Sequence, residues 1–216
     1  MVDIAFGVAA ILSVVAIVDP PGVIAPFLVL TEGLKEEEKR RVIWKSCLVA
    51  AVTLVVFAFA GQGIFAVFNF TIPSFKVAGG ILLFVVAFQM TQGGGRPSRA
   101  RITRKGANSS IERESVGVVP LGIPLLAGPG AITTVMIYMA RPTPDSLDKL
   151  FVFIGVGLAV VATFFLLRSA GAIYRRLGPT GVLAFGRIMG LLLAAVGVQF
   201  VIDGVVDAAR LHGLIP

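Results

Sequence analysis

The chain is poor in the residues on which soluble enzymes and secreted scaffolds rely. Among 216 residues there is one cysteine, one histidine and one tryptophan, and charged residues make up only 14%. Cys47 stands alone inside an apolar run, which excludes a disulfide framework and a cysteine metal site. His212 lies close to the C-terminal end, and no His-Glu-x-x-His helix, no phosphate-binding glycine loop and no serine with a usable histidine occurs. Enzymatic chemistry, metals and cofactors are therefore not expected. Soluble domains carry about 25% charge, so a charge of 14% beside 56% hydrophobic residues and a mean hydropathy of +0.94 excludes a single soluble core.

What the chain does have is long apolar runs. Six stretches, 4–30, 46–68, 74–90, 115–140, 150–167 and 185–206, are uncharged or nearly so, and Asp19 is the only charge in the first. About 20 helical residues cross the hydrocarbon of a bilayer. Strands of a membrane barrel would alternate polar and apolar positions, whereas these runs are apolar on every side. The expected fold class is an all-α membrane protein with six transmembrane helices. Charged or polar spacers are expected at 32–41, 91–114, 141–149 and 168–179, with a short turn at 69–73.

The net charge of +7 could suggest nucleic acid as a partner, but the distribution of basic residues points to the lipid bilayer instead. With six crossings, fifteen of the nineteen Lys and Arg fall on one side and four, Lys76, Arg141, Lys149 and Arg210, on the other. Basic loops stay cytoplasmic, so a multi-pass plasma-membrane protein with both termini extracellular is expected. No removable signal peptide is indicated, because the N-terminus lacks a basic leader segment. Trp44, beside Lys45, reads as an interfacial anchor.

The chain also resembles itself. An offset of 110 lays Phe75, Gly80, Leu82, Leu83, Val86 and Gln89 on Phe185, Gly190, Leu192, Leu193, Val196 and Gln199. An offset of 108 lays Pro21, Gly22 and Ile24 on Pro129, Gly130 and Ile132. Each is about half the chain, which predicts a three-helix repeat over 1–92, a basic cytoplasmic linker over 93–114, and a second repeat over 115–216. An odd number of crossings per repeat inverts the second copy relative to the first.

Two equivalent positions cannot be continuous helix. Pro20 and Pro21 remove two backbone donors in the middle of the first stretch, freeing carbonyls near Ala16 and Ile17. Asp19 is then expected to cap a second half-helix that starts at Pro20. The fourth stretch repeats the device with Gly128, Pro129 and Gly130, after Pro120, Gly122 and Pro124 have loosened its first half. Broken helices at membrane depth must be buried or line a cavity. The paired breaks predict a binding site between the repeats, with half-helix N-termini offering positive dipole ends to an anion. Candidate substrate-binding residues are Asp19, Pro20, Pro21, Gly22 and Val23 from the first break, and Gly128, Pro129, Gly130, Ala131, Ile132, Thr133 and Thr134 from the second. Gly22 and Val23 on one side, and Gly130, Ala131 and Ile132 on the other, are expected to supply N–H groups. Asp19 is also the candidate for coupling to an ion, since an intramembrane charge needs a partner or a proton. Gln89 and Gln199 are secondary candidates, with interhelical hydrogen bonding as the competing role.

The segments from Asp19 to Phe27 and from Gly122 to Ile132 resemble the two signature segments of the MarC family of integral membrane proteins, and the length, six spans and basic central loop agree with it. The resemblance is nearest to its archaeal SnatA-like branch. It implies a transporter of small neutral amino acids, glycine and alanine, coupled to protons; beside the resemblance, sodium is the other candidate coupling ion. Alternating access, in which one repeat moves against the other around a small zwitterion, is the expected mechanism. A membrane scaffold or insertion factor, and a drug efflux protein, are the alternatives.

Overall fold

A computed structural model describes residues 4–31, 33–92, 121–140 and 146–214, and these are helical with short connections. The expected basic linker at 93–114, Pro120 and Arg141 lie outside the described residues. Helix α1 spans Ile4–Val18 and α2 spans Ile24–Leu30, with a turn between them at the Asp-Pro-Pro-Gly segment. Helices α3 (Glu36–Val67) and α4 (Ile72–Thr91) follow, then a π-helical turn, α5 (Leu121–Leu126), and α6 (Pro129–Ala140). The turn at Ser146–Lys149 leads into α7 (Leu150–Ala172), and α8 (Leu183–Leu211) closes the chain. Among the described residues, helices α3, α4, α7 and α8 are the four long and apolar enough to cross a membrane, while α1 and α6 are shorter apolar helices of 15 and 12 residues. At 1.5 Å per residue the short ones reach about 18–23 Å, less than the roughly 30 Å hydrocarbon core.

Two of the expected spacers prove to be helix. Most of the charged segment 32–41 forms the first turns of α3, where Glu36, Glu37 and Glu38 face the positive end of the helix dipole. The Lys35 N–H donates to Glu38 Oε2 at 2.8 Å and anchors that start. The segment 168–179 is likewise helical on both sides of a single non-helical residue, Gly178, whose φ of 65° makes the corner between α7 and α8. The short turn before α4 does form, and is capped by Thr71, which accepts the Ser74 N–H at 3.2 Å while Ser74 Oγ accepts the Thr71 N–H at 3.1 Å.

Glycine governs how the helices approach. A Cβ on Gly80 of α4 would lie 2.5 Å from the Gly197 carbonyl oxygen, one on Gly190 3.0 Å from the Ala87 oxygen, and one on Gly204 2.8 Å from the Pro73 oxygen. Positions rise along α4 as they fall along α8, so the two helices run antiparallel with their backbones close. Helices α3 and α7 are also antiparallel: Trp44 meets Phe164 at 6.1 Å between ring centroids, and Phe59 stacks on Phe153 at 4.9 Å. Helix α1 buries the stripe Gly7, Ala10, Val14 and Val18. It runs parallel to α7, since Gly7 packs on Phe151 and Gly155 on Ile11 and Val14. Polar side chains inside the helices turn onto their own backbone, as Ser46 does to the Val42 oxygen at 2.8 Å and Thr163 to the Ala159 oxygen at 2.8 Å. Large apolar side chains such as Leu12, Phe59 and Leu191 are exposed on the outer surface, which suits lipid as the surrounding solvent.

Candidate functional site

The two helix interruptions meet. Helix α1 ends at Val18 and α6 begins at Pro129, and Ile17 packs against Gly130 from the opposite side of the contact. A cavity of about 260 Å³ opens between them, lined by Ala16 to Asp19, Gly22 and Val23 from the first interruption and by Pro124, Leu125, Gly128, Gly130 and Ala131 from the second. Leu83 of α4 and Leu193, Val196 and Phe200 of α8 complete the wall.

The electrical character of each side follows from which backbone groups the prolines leave unpaired. The Asp19 N–H takes the Val15 oxygen at 3.2 Å, the last regular bond of α1. The next two donors would belong to Pro20 and Pro21, which have none, so the Ala16 and Ile17 carbonyls receive no bond from the helix ladder. Val18 would receive the Gly22 N–H, but that group bonds to the Asp19 carbonyl at 3.0 Å and to Asp19 Oδ1 at 3.2 Å. The first side of the cavity is thus a negative helix end with a carboxylate beside it. On the second side the earliest amide of α6 with a helical acceptor is that of Ile132, to the Gly128 oxygen at 3.0 Å. The N–H groups of Gly130 and Ala131 therefore stand at the positive end of α6, and both residues line the cavity.

The first interruption differs from the sequence expectation in two ways. The α-helix resumes at Ile24, with Pro20 to Val23 as a turn, and Asp19 adopts a left-handed conformation with φ of 48°. Its carboxylate does bond to the third residue on, as a cap would, but onto that turn. Gly22 consequently offers no free N–H, because Asp19 takes it, while Val23 lines the cavity.

Of the other sequence candidates, Pro20 is buried and Pro21 exposed, and neither lines the cavity. Pro129 packs on Gly79 of α4 and sets the position of α6. Ile132 and Thr133 are buried behind the wall, with Thr133 Oγ1 donating to the Pro129 oxygen at 2.6 Å, and Thr134 is half-buried outside the lining. Gln89 and Gln199 are exposed away from the cavity, and Gln199 donates to Asp203 at 2.7 Å. Sequence reasoning passed over Leu83, Leu193, Phe200 and Ile17 as lining residues. Leu83 and Leu193 carried a signal, since they are paired by the offset of 110. Phe200 carried none, because its role depends on Gly130 leaving room for its ring: a Cβ there would lie 2.7 Å from Phe200 Cζ.

The family of MarC integral membrane proteins matches residues 4–209, nearly the whole chain. This chain belongs to the MarC family. Among MarC relatives, it is 34% identical to a UPF0056 membrane protein of Methanocaldococcus jannaschii, over 94% of this chain and 97% of that one. It is 38% identical to a UPF0056 membrane protein of Pyrococcus horikoshii, over 89% and 90%, and 34% identical to the UPF0056 membrane protein YhcE of Escherichia coli, over 88% and 87%. No solved structure matches the chain. A multi-pass location in a membrane follows from the family and from the apolar helices.

Proposed function

We propose that this MarC protein is a secondary transporter of small neutral amino acids, glycine and alanine, and not an enzyme. One observation carries the reading: a negative helix end with Asp19 faces a positive helix end with the Gly130 and Ala131 amides across one small cavity. A zwitterion has the matching charges, its ammonium toward Asp19 and its carboxylate toward α6. The size agrees, since drug-sized ligands occupy pockets of roughly 300–1,000 Å³. A cavity of about 260 Å³ disfavours the efflux of bulky drugs. Asp19 is the residue to which a coupling proton or sodium ion would bind.

Alternating access needs two units that move against each other, and six crossings in two inverted three-helix repeats would supply them. The antiparallel pairs α3 with α7 and α4 with α8 support this arrangement. So does the α4–α8 contact, where the pair Gly80–Gly197 becomes Ala87–Gly190 when the halves are exchanged by the offset of 110. The division of basic residues supports a plasma-membrane orientation with the Arg40 and Arg168 end in the cytoplasm and both termini outside.

The test is uptake of labelled glycine into vesicles reconstituted with the purified protein, with and without imposed pH and sodium gradients. Uptake that saturates, that unlabelled alanine inhibits and that one of the gradients drives is the expected result. Protein-free vesicles matching the reconstituted ones for glycine and for alanine would overturn the reading.

A further inference from the structure

We propose a second binding site, for an anionic membrane phospholipid, at the end of the molecule where α3 begins and α7 ends. A cavity of about 400 Å³ lies there between the two helices, lined by Arg40, Arg41, Ile43, Trp44, Phe164 and Arg168. Its lining is almost wholly apolar, with Ile43, Trp44 and Phe164 beside the stems of three arginines whose side chains are exposed. Trp44 is 64% exposed and meets the edge of Phe164, so an aromatic wall stays open to the surroundings. A second cavity of about 230 Å³ adjoins it, sharing Arg40, Ile43 and Arg168 and reaching Lys39 of α3 and Phe27 and Leu28 of α2.

The chemistry calls for a ligand that is apolar at one end and anionic at the other. Residues 35–45 together with Arg168 carry six basic against three acidic side chains, and Lys39 already pairs with Glu36 at 2.9 Å. Guanidinium groups bind phosphate in paired hydrogen bonds, while the apolar floor has no use for a free phosphate ion. A phospholipid satisfies both parts, with an acyl chain along Trp44 and Phe164 and the phosphate between Arg40 and Arg168. The position fits, because tryptophan marks the membrane–water interface and clustered basic residues there draw anionic lipid. The adjoining cavity, which Glu36 also lines, touches Phe27 and Leu28 of α2.

The test uses the full-length protein purified in neutral detergent, with lipid binding measured by native mass spectrometry and by the shift in thermal unfolding. Phosphatidylglycerol should bind more tightly than phosphatidylcholine of the same chain length. Arg40→Gln with Arg168→Gln should lose on the order of 30-fold in affinity for phosphatidylglycerol and leave phosphatidylcholine unchanged, as two interfacial charges warrant. Both side chains are exposed, so the variant should unfold as the wild type does without lipid. If the double variant does not fold, each single variant, with an expected loss of about fivefold, carries the test. Trp44→Ala should weaken both lipids. Lys149→Gln with Arg210→Gln, away from this cavity, should change neither. Equal binding of the two lipids, a preference that survives removal of both arginines, or a shift of the same size from inorganic phosphate would overturn the proposal. None of these readouts involves transport, so the glycine assay and this one fail independently.

Discussion

The Asp19 carboxylate occupies the space in which a side chain on Gly22 would begin: its Oδ1 accepts the Gly22 N–H at 3.2 Å, and a Cβ on Gly22 would fall on its other oxygen. Glycine at position 22 is therefore what lets the carboxylate fold back over the turn. Gly22→Ala should push Asp19 out of place and lower stability by about 1–3 kcal/mol, as overpacking does. Thermal unfolding checks the cost, and glycine uptake should fall while the protein stays monodisperse. Wild-type uptake would show that the carboxylate's position does not matter.

Asp19→Asn separates charge from shape. Asparagine can accept the same Gly22 N–H and adopts the left-handed backbone readily, so folding should survive. A hydrogen bond to a charged group is worth about 1.5–3 kcal/mol, which predicts a loss of roughly tenfold to a hundredfold in apparent affinity for glycine. Concentration dependence of uptake, with and without a pH gradient, measures it. Unchanged affinity in both conditions would leave Asp19 as a structural residue only.

Phe200 sets the size of the substrate in this reading. Its ring fills the space against Gly130, and Phe200→Ala should enlarge the cavity next to the α6 amides. Each extra methylene accommodated changes discrimination by about 10–200-fold, so larger neutral amino acids should gain on glycine. Competition of serine, valine and leucine with labelled glycine reads the change. An unaltered order of inhibitors would place the selective step elsewhere.

Orientation can be tested with the native cysteine in place. Cys47 is buried, so single cysteines introduced as Lys35→Cys and Leu214→Cys, both at exposed positions, dominate labelling by a membrane-impermeant maleimide. Leu214→Cys should react in intact cells and Lys35→Cys only after permeabilisation. The reverse pattern would invert the assignment.

Much of this protein could be read before any coordinates, because the decisive features are local and covalent. A proline has no N–H in any context, so Pro20 and Pro21 had to interrupt the first helix and leave the Ala16 and Ile17 carbonyls without helical donors. Apolar runs of bilayer length likewise announce themselves by composition. The tertiary structure decided what depends on competition and on distant packing. Which acceptor the Gly22 N–H takes was decided by the left-handed turn at Asp19, which brings that residue's carbonyl oxygen to 3.0 Å and its carboxylate to 3.2 Å. Leu83, Leu193 and Phe200 became cavity walls only because α4 and α8 press together at Gly80 and Gly197, residues more than a hundred positions apart. Gln89 and Gln199, polar and repeat-related, read as secondary candidates and face outward, since periodicity says which residues share a face and packing alone says what that face meets.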